Sequence, residues 1–218
     1  MTELKTQIVP ASNGSSPIGA YLAKHGVGAS GTFIKFAKDG VFRKQIDDTK
    51  IPEGTEAVLI YDQIRVGQIK FLGKGNPPIR HMGPVFAGFV PPDRETLGDT
   101  DEAEWEKGLS GKPVDPWQFQ VLLPLQDTKT GELLIFGTSS ITGRRACDNL
   151  IAMCGRMQQR EPDDYPVIRL DVSGFKHRNE QIGWVKTPAF TRVGKAPKSD
   201  VSMAVTKVAD DMSDEIPW

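Results

Sequence analysis

Cysteine and histidine are both scarce in this chain of 218 residues, which has two cysteines and three histidines. Cys147 and Cys154 lie seven positions apart in a segment with helical periodicity, where that spacing corresponds to a rise of about 10.5 Å. This distance is too long for a disulfide bond, so both are expected to be buried thiols. His25, His81 and His177 are scattered, and no cluster has the spacing of metal ligands. The sequence therefore predicts no metal site and no cofactor.

Long apolar runs and catalytic signatures are also missing. No stretch approaches the roughly 20 apolar residues of a membrane-spanning helix, and the first five residues (MTELK) lack the apolar region of a secretory signal. The P-loop, HExxH, GxSxG and paired-cysteine motifs do not occur. Residues 26–31 fit GxGxxG, but a strand-like run follows them instead of a helix, which indicates a linker and not a dinucleotide site. We therefore expect a cytoplasmic protein that is not an enzyme and has no membrane partner.

Charge is close to balanced overall, with a net of −1, but it is unevenly distributed. Residues 93–106 contain seven acids and one arginine, and the last eleven residues contain four acids and no base. Without those last eleven residues the chain has 27 basic and 24 acidic residues, and without both blocks it has 26 and 17. The remaining body is thus basic, a pattern typical of proteins that bind polyanions and carry acidic appendages.

Glycine and proline are abundant, at 22 and 16 residues, and this share of about 17% exceeds the usual ~12%. Many turns, and hence a β-rich fold, are indicated. Strands are expected at residues 32–37 and 41–45 as a hairpin around Asp39-Gly40, and at 56–61 and 64–72 as a second pair. Further strands are expected at 117–125 and 132–138, and a last pair at 165–173 and 182–193.

One amphipathic helix is predicted over residues 142–160, where apolar side chains recur at helical spacing and Pro162 follows. A β-rich chain with one late helix favours an OB-like barrel whose end the helix plugs, and a β-sandwich with one helix is the alternative. The expected organisation is a disordered arm (1–31), a body (32–193) with a long loop-rich insertion (73–116), a linker (194–207) and an acidic tip (208–218).

The final residues combine features of a docking segment. Four carboxylates keep it solvated, Pro217 restricts the backbone, and Trp218 joins a large apolar face to a terminal carboxylate. Such an end can anchor in an apolar pocket rimmed by basic residues, while the acids steer the approach.

This ending, Asp214-Glu215-Ile216-Pro217-Trp218, resembles the C-terminal tip of bacterial single-stranded DNA-binding proteins, which is acidic and closes in Asp-Ile-Pro-Phe. The resemblance implies an OB-fold that binds single strands and a tip that recruits replication, recombination and repair enzymes of the bacterial cell. It implies Ile216, Pro217 and Trp218 as the anchor, with Asp210, Asp211, Asp214 and Glu215 as steering acids. The body, without those motifs, looks like a phage- or prophage-encoded variant.

A single-strand site requires cations for phosphates and aromatic rings for bases, and the sequence interleaves them in two places. The first set surrounds the first hairpin: Lys35, Phe36, Lys38, Phe42, Arg43 and Lys44. The second lies in the last strand pair: Phe175, Lys176, His177, Arg178, Trp184, Lys186, Phe190 and Arg192. Arg144 and Arg145 at the helix start are candidate phosphate ligands. Trp117 and Phe119, in a regular alternation, are expected in the core.

Three functions follow as hypotheses. The first is a protein that coats single-stranded DNA and recruits partners through its tip. The second is an adaptor or decoy that uses the tip without binding DNA. The third is a metal-dependent nuclease or recombination accessory enzyme that uses the acidic block at 93–106.

Overall fold

The computed structural model describes residues 31–72, 78–108, 111–181 and 183–201. This part of the chain forms nine strands and one α-helix, α1 (Ile141–Arg160), which lies between the seventh and eighth strands. The strands are β1 (Thr32–Phe36), β2 (Phe42–Lys44), β3 (Glu56–Leu59), β4 (Arg65–Lys70), β5 (Ile79–Pro84), β6 (Trp117–Asp127), β7 (Leu133–Thr138), β8 (Asp164–Lys176) and β9 (Trp184–Pro197). Short 3-10 turns lie at Tyr61–Gln63, Val85–Ala87, Arg94–Leu97, Glu102–Glu104 and Lys198–Asp200. The prediction of a mainly β chain with one late helix is confirmed.

The nine strands belong to one sheet, which is strongly curled into a half-barrel. Its main order is β2-β1-β7-β6-β3-β8-β9, and β4 pairs with both β6 and β5. All pairings are antiparallel except that of β1 with β7. The expected β1–β2 hairpin is confirmed, and so is the β8–β9 pair, which runs for thirteen paired positions from Asp164–Pro197 to Lys176–Trp184.

The predicted pairing of residues 56–61 with 64–72 is wrong, although both strands exist. β3 and β4 lie end to end beside β6, with Leu59 opposite Leu125 and Arg65 opposite Leu122. A two-residue hairpin needs positive φ in its turn, whereas the link here is the 3-10 turn Tyr61–Gln63 with Tyr61 fully buried. The chain therefore continues along the same neighbour and does not fold back.

Two boundaries also differ from the prediction. The insertion at 73–116 contains β5, which pairs with β4 along its whole length and carries His81, Gly83 and Pro84 in place of an apolar alternation. β9 continues four residues into the predicted linker, where Lys195 Nζ lies 2.7 Å from Asp164 and 3.2 Å from Glu161. Of the predicted arm only Gly31 is described, and the predicted tip lies outside the described residues.

The helix follows its predicted span closely. Ser140 Oγ accepts a hydrogen bond from the Gly143 amide at 3.1 Å and caps the first turn. Cys147, Leu150, Cys154 and Met157 form its buried face. Burial raises the pKa of both thiols to about 12, so they are protonated and unreactive at neutral pH, as the expectation of buried thiols requires.

The core lies between the inner face of the curled sheet and α1. An aromatic cluster links distant strands: the ring of Phe136 is 5.7 Å from that of Phe42 and 5.5 Å from that of Phe190. Trp117 is buried, and Phe119 is half-buried and packs against the core, so both are core residues as predicted. The fold thus uses most of its aromatic residues for packing, which narrows the choice of stacking side chains.

Candidate nucleic-acid interface

The two predicted aromatic rings of the first hairpin are core residues. Phe42 is only 2% exposed, and Phe36 packs edge-on against it with ring centroids 5.0 Å apart. Phe42 also contacts Phe136 and Phe190, and Phe36 is half-buried against the same core. The aromatic component of the first predicted set is therefore unavailable for base stacking. Phe190 is half-buried in the same cluster.

The cations of that hairpin are paired with carboxylates. Lys35 lies 3.0 Å from Asp48, and Arg43 bridges Asp39 at 2.6 Å and Asp48 at 3.0 Å. These contacts lower the pKa of Asp39 and Asp48, mainly through the hydrogen bonds from Arg43 and Lys35 respectively.

Lys44, in the same hairpin, contacts Glu132 at 2.7 Å. Hydrogen bonds from Lys44 and Thr32 lower the pKa of Glu132. Since each of these cations already has an anionic neighbour, the hairpin carries little uncompensated positive charge. Lys38 differs, because it is exposed and has no ion pair within the described residues.

The end of the β8–β9 hairpin has the opposite character. Trp184 is 66% exposed and Phe175 is 44% exposed. Lys176 lies directly opposite Trp184 in the ladder, and Arg178 follows in the turn. Among the described residues, Lys176 and Arg178 form no ion pair. We call the following set the hairpin-tip patch: Phe175, Lys176, His177, Arg178, Trp184 and Lys186.

The position of Trp184 depends on a glycine. A Cβ atom at Gly174 would collide with the indole Nε1, so the absence of a side chain there lets the ring lie against the opposite strand. Gly174 pairs with Lys186, the residue two positions after Trp184. One indole face is therefore supported by backbone, and the exposure of the ring leaves its other side available to a ligand.

The turn between β1 and β2 supports the same tip. Lys186 Nζ donates a hydrogen bond to the Asp39 carbonyl at 2.9 Å. The alkyl chain of Lys186 occupies the space that a side chain at Gly40 would need, and Gly40 has the positive φ of 82° that the turn requires. This contact brings the turn containing Lys38 to the tip, so one member of the first predicted set joins the second.

A groove of about 350 Å³ lies between the first half of α1 and the same hairpin. We call it the helix–hairpin groove. Phe175, Pro188, Ala189, Phe190 and Ala146 supply its apolar lining. Its polar lining consists of five side chains, none of which has a hydrogen bond or ion pair within the part of the chain that the structure describes: Thr142, Arg145, Asn149, Ser173 and Thr187.

Sequence reasoning selected Arg145 and Phe175 but missed Asn149, Ser173 and Thr187. Thr142, Arg145 and Asn149 follow the i, i+3, i+7 spacing of one helix face, and this was the available signal. The opposing strand residues carry no comparable pattern, because the packing of α1 on the sheet decides which of them face it.

The remaining predicted cations, and His177, contact other residues of the protein. The Arg144 guanidinium stacks over Phe119 at 5.5 Å, and its Nε is buried without a hydrogen-bond partner among the described residues. Arg192 contacts Glu161 at 3.1 Å. His177 Nδ1 accepts a hydrogen bond from the Asn179 amide at 3.0 Å and thus shapes the turn.

The acidic block at 93–106 is a folded cap on the ends of β4 and β6. Asp99 accepts hydrogen bonds from Lys70 at 2.8 Å and Trp117 at 2.9 Å, and Arg94 contacts Asp115 at 2.7 Å. These contacts lower the pKa of Asp99, chiefly through Lys70. Within the described ranges, no group of three or more His, Cys, Asp or Glu side chains is arranged to hold a metal ion.

The predicted partner anchor and steering acids, residues 210–218, lie outside the described residues. Among the described helices, none is both long and apolar enough to cross a bilayer. Comparison with protein-family models, with curated proteins and with solved structures finds no match to this chain.

Proposed function

We propose that this chain binds single-stranded DNA through the hairpin-tip patch and the adjoining groove. The observation that carries the proposal is the pairing of two exposed rings, Trp184 and Phe175, with cations that have no carboxylate partner in the described residues. Exposed aromatic rings beside cations are the combination that single-strand binding proteins use for bases and phosphates. Stacking on such rings contributes about 1–3 kcal/mol per base and tolerates any sequence.

The contrast between the two predicted sets supports this choice. A cation that already contacts a carboxylate must give up that contact to gain a phosphate, whereas Lys176 and Arg178 have no such contact to lose among the described residues. The proposed site therefore comprises the hairpin-tip patch, Lys38 and Arg145. We assign structural roles to the other predicted residues: Lys35, Phe36, Arg43, Lys44, Arg144 and Arg192.

We further infer that the half-barrel is OB-like. The curled sheet, the mainly β composition and the helix inserted after β7 are consistent with that family of barrels. An OB-like body is also what the resemblance of the tip to single-stranded DNA-binding proteins implies.

The second part of the proposal is recruitment. The acidic tip would engage replication, recombination or repair enzymes that have an apolar pocket with a basic rim, in the cytoplasm of a bacterial host of a phage or prophage. The anchor would be Ile216, Pro217 and Trp218, with acids upstream. The sequence of the tip supports this proposed recruitment of partner enzymes.

An electrophoretic shift separates the three hypotheses. The full chain is titrated against a 20-nucleotide dT strand and against a duplex of equal length, with and without Mg²⁺. A coating protein shifts the single strand at lower concentration than the duplex and leaves it intact. An adaptor shifts neither probe, and a nuclease shortens the strand when Mg²⁺ is present.

A further inference from the structure

The hairpin end presents two different surfaces, because successive residues of a strand point to opposite faces. Lys176 lies opposite Trp184, so these two share one face, and Phe175 lies on the other. The Trp184 face contacts the β1–β2 turn through Lys186, whereas Phe175, Ser173 and Thr187 of the opposite face line part of the helix–hairpin groove. A strand bound at the tip therefore meets two chemically distinct environments.

The Trp184 face offers a ring and ammonium groups, which bind stacked bases and phosphates without regard to sequence. The groove adds groups that distinguish bases. Asn149 supplies one amide with a donor and an acceptor side by side, and Ser173 and Thr187 add hydroxyls. None of these three side chains has a hydrogen bond or ion pair within the described residues, so all three are available to a ligand.

The groove also contains the groups needed to hold a whole nucleotide. Phe175 provides a partly exposed ring for the base, and Arg145, one helical turn before Asn149, provides a cation for a neighbouring phosphate. Ala146, Pro188 and Ala189 supply further apolar lining. A ring system with a polar edge and an adjacent anion fits this combination.

We propose that the helix–hairpin groove binds one nucleobase of the strand and prefers adenine, with Asn149 as the residue that determines the preference. The paired amide donor and acceptor of asparagine complement adenine N7 and N6, the usual bidentate contact of this side chain. Phe175 stacks on the base and Arg145 contacts the phosphate. This inference rests on the proposed single-strand binding and gives it a base preference at one position.

The test compares two labelled 12-nucleotide strands, dT12 and dT12 with a single central adenine, by fluorescence anisotropy. The full chain is expected to bind the adenine-containing strand about fivefold more tightly, since each good bidentate contact discriminates by at least that factor. Asn149→Ala is expected to bind both strands with the affinity that the unaltered chain shows for dT12. Gln159→Ala, an exposed residue at the other end of the same helix, is the control and should retain the preference.

Different results would overturn the base preference and the single-strand binding. Equal binding of both strands by the unaltered chain, or a preference that persists in Asn149→Ala, would overturn the groove assignment and leave single-strand binding standing. Absence of binding to either strand would overturn both. Alanine is a strong helix former, so a folding failure at these exposed helical positions is not expected, and circular dichroism of each variant verifies this.

Discussion

At the scale of single residues, Trp184 is the side chain on which the proposed interface depends most. Replacing it with alanine should weaken binding to a dT strand about tenfold, because a stacked base contributes on the order of 1–3 kcal/mol. The melting temperature should change little, since the indole is mostly exposed. Fluorescence anisotropy measures the affinity, and thermal unfolding followed by circular dichroism measures the stability.

Phe71→Ala is the matched control for this prediction. Phe71 is 55% exposed, comparable with Trp184, but it lies beside Asp99 in a separate cavity at the ends of β4 and β6 and not on the hairpin. Its removal should leave the affinity for the dT strand unchanged. Equal losses in both variants would mean that exposed aromatic area in general, and not the hairpin tip, determines binding.

The environment of individual aromatic residues was the least predictable feature. Phe42 and Trp184 both have basic neighbours in sequence, yet Phe42 is fully packed and Trp184 is not. Because a strand alternates its faces, basic neighbours do not reveal which face the core covers. The exposure of Trp184 follows from the length of β8 and β9, whose paired ends extend beyond the core, and from the missing side chain at Gly174.

At the scale of elements, Glu132, the residue just before β7, holds the first hairpin in place. Its carboxylate accepts hydrogen bonds from Lys44 on β2 at 2.7 Å and from Thr32 on β1 at 2.7 Å. The pKa of Glu132 is lowered in the folded chain, so the resulting stability is present above the unfolded pKa and is lost as pH falls through the folded pKa. Glu132→Gln should therefore unfold at lower urea than the unaltered chain at pH 6, with the difference narrowing as the pH falls below the pKa of an unfolded glutamate, about 4.3.

Urea titrations at pH 6, 5, 4 and 3 measure this difference. Glu53→Gln, an exposed carboxylate without an ion pair in the described residues, is the control and should follow the unaltered chain at every pH. A difference between Glu132→Gln and the unaltered chain that stays constant from pH 6 to pH 3 would contradict the assigned role of the carboxylate.

Elements defined by local signals were predicted well, and those defined by distant partners were not. The β1–β2 hairpin follows from Asp39-Gly40, and α1 follows from its apolar spacing and the residues around its ends. β5 was missed because its residues lack alternation. The ion pairs of the cations could not be predicted from the sequence either, since partners such as Lys44 and Glu132 are 88 positions apart. Local patterns identify candidate cations but not their partners.

At the scale of the whole molecule, the acidic tip is expected to compete with DNA for the basic hairpin-tip patch. Deleting residues 209–218 removes four acids and changes the formal net charge from −1 to +3. If the tip visits the hairpin-tip patch in the absence of DNA, the shortened chain should bind a dT strand more tightly, and most clearly at low salt, where screening is weakest. Anisotropy titrations of both chains at 20 and 200 mM salt measure this effect.

Replacing the four acids of the tip by their amides in the full-length chain is the matched control, because it removes charge without removing length. Tighter binding in both variants would confirm an electrostatic competition. Unchanged or weaker binding of the shortened chain would show that the tip does not approach the site.

The proposed function requires cations of the hairpin tip to contact phosphates of an unpaired strand. The most direct test is the salt dependence of binding to a dT strand, measured by anisotropy between 50 and 300 mM salt. Up to five contacts, from Lys38, Arg145, Lys176, Arg178 and Lys186, predict a log–log slope of about −3.5, because single strands contribute about 0.7 per contact.

The double variant Lys176→Ala/Arg178→Ala should reduce the magnitude of that slope by about 1.4. The double variant Lys35→Ala/Arg43→Ala, whose cations contact Asp39 and Asp48, should leave it unchanged. A slope that falls in the second variant and not in the first would place the phosphates on the first hairpin and contradict the proposed interface.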